Sequence, residues 1–107
     1  MSYQELAART LNTEVDISPE EQMLTNATLG LVGEAGEVAE MMKKAIFHRH
    51  WLDKDALTKE LGDVLWYIAA ICTLTGLDME EVMAKNIEKL KARYPEGFDL
   101  EKTHHNG

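Results

Sequence analysis

Four carboxylates stand at spacings that let them act together: Glu34 and Glu37, then Glu60 and Asp63, with 22 residues between the pairs. Residues three apart share a face of a helix. If the pairs lie on consecutive antiparallel helices joined near residues 49–52, all four acids meet at one level. The stripe that carries Glu34 and Glu37 also holds Ala27, Gly30, Met41 and Lys44, and the stripe of Glu60 and Asp63 also holds Val64, Tyr67 and Ile71. Carboxylates on largely apolar faces with too few cations are very costly. A hard divalent cation removes that cost, and oxygen-only ligands suit magnesium, manganese or calcium.

Two plainer readings compete. The chain has 19 acidic residues, so an isolated Glu-x-x-Glu says little and solvated acidic faces are common. A di-iron carboxylate bundle expects Glu-x-x-His on two helices, and the only such string here, Glu101 and His104, falls in the C-terminal tail. Two level pairs on apolar stripes favour the metal over both.

Asn86, Lys89 and Arg93 fall at i, i+3 and i+7, one face of a further helix, beside Val82 and Leu90. An amide and two cations aimed at a metal-loaded acidic cleft would suit an oligophosphate. Spacing alone fits a solvated basic face at a helix C-terminus equally well. The same holds for Lys43, Lys44, His48, Arg49 and His50, which crowd the end of the preceding hairpin helix. His104 and His105 read as solvent-exposed tail residues. Trp51, Trp66, Tyr67 and Tyr94 could each stack on a base, although aromatics at helical spacing more often build core.

The elements that must position these residues announce themselves by their ends. Ser2 with Glu5, Ser18-Pro19 with Glu21, and Asp78 with Glu81 read as capping boxes, and Asp53 or Asp55 can cap a further helix. Stops follow at "NTEVDI", at "HRHWLD", at Gly76, and at Pro95 and Gly97. No alternating strand pattern intervenes. The expectation is an all-α domain over residues 1–98 with a tail over 99–107, and helices at about 3–12, 19–48, 54–75 and 79–94. The two long helices form an antiparallel hairpin. From Leu61 to Leu74 the third helix is apolar nearly all round, which means burial on more than one side. Four helices cannot bury it alone, so a homodimer or homotetramer is expected. Gly30, Gly33 and Gly36 each cost helix stability, about 1 kcal/mol relative to alanine; close approach of a neighbouring helix or a nucleotide would explain them.

The whole-chain numbers narrow the partners. A net charge of −8 argues against a nucleic-acid polymer, though not against a small phosphorylated ligand whose charge a cation neutralises. Hydrophobic content of 45% is ordinary for a soluble globular chain. The longest apolar run, Val64 to Leu77, is too short for a bilayer. The single cysteine, Cys72, fits a reducing cytoplasm, and no presequence opens the chain, so a cytoplasmic protein without a membrane partner is expected.

With these residues in view, "GLVGEAGEVAE" followed by "KELGDVLWYIAAI" resembles the MazG-type nucleotide pyrophosphohydrolases of the all-α NTP pyrophosphatase superfamily. Their hallmark, ExxE, a spacer, then ExxD, is matched by Glu34, Glu37, Glu60 and Asp63, and the likeness runs from about Asn26 to Phe98. It implies a four-helix MazG-like bundle that oligomerises, four acids binding Mg2+ (with Mn2+ able to substitute), and cleavage of a nucleoside triphosphate to monophosphate and pyrophosphate. Asn86, Lys89 and Arg93 map onto the family's phosphate contacts. In that reading a metal-activated water attacks, Glu37 and Glu60 are the catalytic carboxylates with Glu37 as general base, and Lys89 and Arg93 offset charge on the leaving pyrophosphate. A dUTP- or dCTP-directed house-cleaning hydrolase is the narrower form. The alternative from another class is a non-catalytic helical module that binds nucleotide or metal as a sensor.

Overall fold

Helix boundaries follow from local chemistry. The computed structural model describes residues 1–97 and is helical in α1 (Tyr3–Ala8), α2 (Pro19–Phe47), α3 (Lys54–Thr75) and α4 (Met79–Arg93), with no strand among the described residues. The tail over 99–107, with Glu101, His104 and His105, lies outside them. Ser2 and Ser18 close reciprocal capping boxes: Ser18 Oγ accepts from the Glu21 N–H at 3.1 Å, and the Glu21 carboxylate accepts from the Ser18 N–H at 2.9 Å. That backbone donor, with the serine side chain, holds the Glu21 carboxyl below its usual range, and Ser2 does the same for Glu5. Asp53 Oδ1 caps α3 through the N–H groups of Asp55 and Ala56. The fourth cap departs from expectation. Asp78 accepts from the Glu80 N–H, while Glu81 pairs forward with Lys85 at 3.2 Å instead of closing a box.

The ends are equally explicit. Gly76 takes φ 75° after α3, and the Leu77 N–H donates back to the Cys72 carbonyl at 2.8 Å. After α2 it is Arg49, at φ 58°, that occupies the left-handed region, and the His50 N–H donates to the Lys44 carbonyl. α1 is shorter than the expected 3–12: beyond Ala8 only turn-type bonds continue, to Thr10 and Leu11. A helix this short without a packing partner frays.

α2 and α3 pack antiparallel as one hairpin, the only extensive helix contact among the described residues. α4 leaves α3 through a bend of 108° and touches it slightly. Among the described residues only Ala27 and Cys72 are buried, whereas Leu61, Leu65 and Trp66 are 46%, 54% and 64% exposed. The side of α3 that carries Leu61 and Leu65, away from Asp63, is therefore uncovered within one chain. No single helix among the described residues is long and apolar enough to cross a membrane.

Candidate active site

The hairpin register brings α2 and α3 together at the acids. Carboxylate oxygens of Glu34, Glu60 and Asp63 lie within 4.8 Å of one another. Glu60 Oε2 is buried with no hydrogen-bond partner. An orphaned buried carboxylate oxygen beside two further acids is an unfavourable arrangement unless a proton or a cation joins it. The crowding shows at Glu34, whose carboxyl is pushed up to about 7: first by the hydrogen bond its protonated form can give Glu60, then by partial burial and by the charges of Glu60, Asp63 and Glu37. A hard divalent cation answers the same three oxygens, and the all-carboxylate donor set fits one.

Glu37 stands apart. It is exposed and contributes no oxygen to the convergent three, although its charge reaches Glu34. Helical geometry explains the split: three residues turn a helix by about 300°, so Glu37 sits roughly 60° around from Glu34. Spacing put the two on one face without saying which of them points into the groove.

Asn86, Lys89 and Arg93 are not brought to the acids within one chain. Asp63 lies about 18 Å below the end of α3, from which α4 departs at the 108° bend without packing extensively on α2. The Arg93 guanidinium lies 5.8 Å from the centre of the Tyr94 ring. No cation contributes to the shift at Glu34. Lys43 pairs loosely with Glu40 at 4.0 Å on the exposed face of α2.

One glycine finds its reason here. The Tyr67 ring lies against the backbone at Gly30; a Cβ there would collide with Cε1 and Cζ and sit 2.8 Å from Cδ1. Gly33 and Gly36 have open space around them, so no neighbour within the chain explains them. Beyond Tyr67 the groove between α2 and α3 widens into a cavity of about 580 Å³, walled by Met23, Asn26, Trp66, Ala70, Thr73 and Leu74 among others. Trp66 meets Tyr67 edge to face, centroids 5.1 Å apart. Sequence reasoning named the two aromatics but not the cavity. Its one signal was Ala69, Ala70 and Thr73 interrupting an otherwise bulky run.

Comparison with known proteins agrees with this geometry. Mouse dCTP pyrophosphatase 1 is 34% identical over 76 residues, covering 65% of this chain and 45% of the mouse protein, and its rat counterpart matches equally. The chain thus spans less than half the length of these mammalian relatives. The Gene 37 protein of Mycobacterium phage L5 is 37% identical over 78 residues, 69% of this chain and 68% of the phage protein. No solved structure matches. The family described as the MazG nucleotide pyrophosphohydrolase domain matches residues 22–98. Since that span takes in nearly all of the hairpin, with both acid pairs and the groove between them, the chain belongs to the MazG nucleotide pyrophosphohydrolase domain family.

Proposed function

We propose that this chain hydrolyses nucleoside triphosphates to the monophosphate and pyrophosphate, with Mg2+ as its cofactor and Mn2+ able to replace it. The observation that carries the reading is the convergence of the Glu34, Glu60 and Asp63 carboxylates around a buried oxygen without a partner. These three residues would hold the cation, with Glu37 closing the set from the exposed rim. A bound divalent cation lowers the pKa of a coordinated water and offsets charge on the phosphorus under attack. With the cation bound, Glu37 would orient the attacking water and accept its proton, and Glu60 would fix its position from inside the groove. The dCTP pyrophosphatases among the relatives are the reason to place dCTP early in a substrate panel, and a nucleotide-pool house-cleaning role would follow from such a preference. The single cysteine, buried and unpaired, accords with a cytoplasmic setting.

The working unit in this reading is a homodimer or homotetramer. At 100° per residue, Leu61 and Leu65 fall on the side of α3 turned away from Asp63, and Val32 and Ile46 fall on the side of α2 turned away from Glu37. All four are exposed in the single chain. A second copy can cover that side and leave the acidic side open. It would also supply what one chain lacks near its carboxylates, the phosphate-binding residues Asn86, Lys89 and Arg93 on its own α4.

The test is pyrophosphate release from a panel of ribo- and deoxyribonucleoside triphosphates, with Mg2+ and with chelator, beside Glu37→Gln and Asp63→Asn. Release should depend on the metal and fall ~100-fold or more in each variant, the scale of a lost catalytic carboxylate, with helicity unchanged. Metal-dependent release retained by both variants would sink the assignment.

A further inference from the structure

We infer that the cavity beyond Tyr67 holds the base of the nucleotide, and that Asn26 and Thr73 read the base's polar edge. The inference rests on the proposed hydrolysis, whose site it extends along the same groove.

Continuity comes first. Tyr67 is one turn from Asp63 and lies on Gly30, one turn from Glu34, so it forms the boundary between the carboxylates and the cavity. From Asp63 to Ala70 the groove runs about 10 Å along α3, the reach from a nucleotide's phosphorus to the far edge of its base. With phosphates at the acids, the base arrives between Trp66 and Asn26.

The polar lining is what a base requires. Asparagine is a poor choice for a helix interior, yet Asn26 sits inside α2 with its amide unbonded among the described residues. Thr25, Thr28, Thr58 and Thr75 each give their hydroxyl to the carbonyl four residues back. Thr73, the remaining threonine of the described helices, does not, and its side chain lines the cavity. Asn26 and Thr73 are exposed, without a protein partner among the described residues, in an otherwise apolar, aromatic-walled groove, and a few polar groups in such a groove are the pattern of a small-molecule site. An amide offers two donors and one acceptor, which matches the adjacent donor and acceptor on a base's pairing edge, while Trp66 offers a stacking face. An apolar helix from a second copy would leave both polar groups buried and unpaired; a base satisfies them.

The experiment uses the full chain carrying Trp51→Phe, so that Trp66 is the sole tryptophan and is excited selectively. The non-hydrolysable α,β-imido analogues of the deoxynucleoside triphosphates are titrated in Mg2+, and kcat/KM is measured for the natural panel, with tripolyphosphate as a competitor that has no base. Binding should quench Trp66 saturably. Asn26→Ala and the near-isosteric Thr73→Val should each weaken the preferred base about tenfold and flatten the ranking, with tripolyphosphate affinity changed less than twofold. Ala70→Phe, which fills the cavity, should abolish the quench. A ranking unchanged in Asn26→Ala and Thr73→Val overturns the inference, as does a Trp66 emission that is shielded and unresponsive because a second copy covers it. If those results accompany normal pyrophosphate release, the hydrolase reading stands and only the base site falls. Quenching that responds to the variants without any pyrophosphate release would keep the base site and remove the hydrolysis.

Discussion

Glu34 is the most telling single residue, because it carries the conflict of the site as a protonation equilibrium. Its carboxyl titrates at about 7 in the folded chain against an ordinary value of 4.5. Between those values the folded state binds the proton that the unfolded state releases, so stability is full below the ordinary value and is lost as pH rises through 7. The metal-free protein should therefore melt at progressively lower temperature from about pH 5 to pH 8. Added Mg2+ at pH 8 should restore the melting temperature, and Glu34→Gln should flatten the pH profile. A scanning-fluorimetry series across that range checks all three, and a flat wild-type profile would contradict the carboxylate crowding. The convergence of Glu34, Glu60 and Asp63 was legible in the sequence because spacing on a hairpin converts directly into geometry. Glu37's outward position was not, since a 60° rotation is invisible to a three-residue spacing rule.

At the scale of the element, α2 is a long helix carrying three glycines, of which only Gly30 is pressed by a neighbour. Gly36→Ala meets open space and should raise stability by ~1 kcal/mol through helix propensity alone. Gly30→Ala should forfeit that gain, because its methyl must drive the Tyr67 ring off the backbone. Paired thermal melts would show the difference, and equal gains at both positions would remove the reason given for Gly30. The starts and stops of α2 and α3 could be read from Ser18, Pro19, Asp53 and Gly76, since each satisfies a terminal backbone group by a local rule. The end of α1 and the failed box at Glu81 could not. The first depends on a packing partner that the short helix lacks, and the second on competition from Lys85, a choice between two local rules. The direction of α4 was likewise outside the reach of periodicity, because the three-residue link Gly76-Leu77-Asp78 fixes an angle that no face pattern encodes.

For the molecule as a whole, the decisive fact is how little one chain encloses. Its radius of gyration is 20.1 Å, against about 13 Å for a compact domain of this length. Its accessible surface is 9204 Å², where a compact monomer of this size exposes roughly 6,000 Å². The difference is on the scale of an obligate interface, about 2,000 Å² or more. Under the oligomeric reading, sedimentation should report at least twice the chain's mass, and Leu65→Glu should shift the protein toward a poorly helical monomer. A stable, fully helical monomer of the wild type would refute it. The apolar circumference of α3 carried this expectation in the sequence, whereas dimer against tetramer depends on surfaces that helical periodicity does not rank.

The bare Leu61 and Leu65 side of the hairpin also sets an order of events in time. Closing α2 on α3 joins partners separated by the few residues of the Phe47–Lys54 link, a local step that chains complete within about microseconds to milliseconds. Covering that side is a meeting of two molecules, whose rate scales with how many are present. A freshly made chain at low abundance would thus persist as an open hairpin, its greasy flank offered to chaperones and proteases, until its own concentration rescues it.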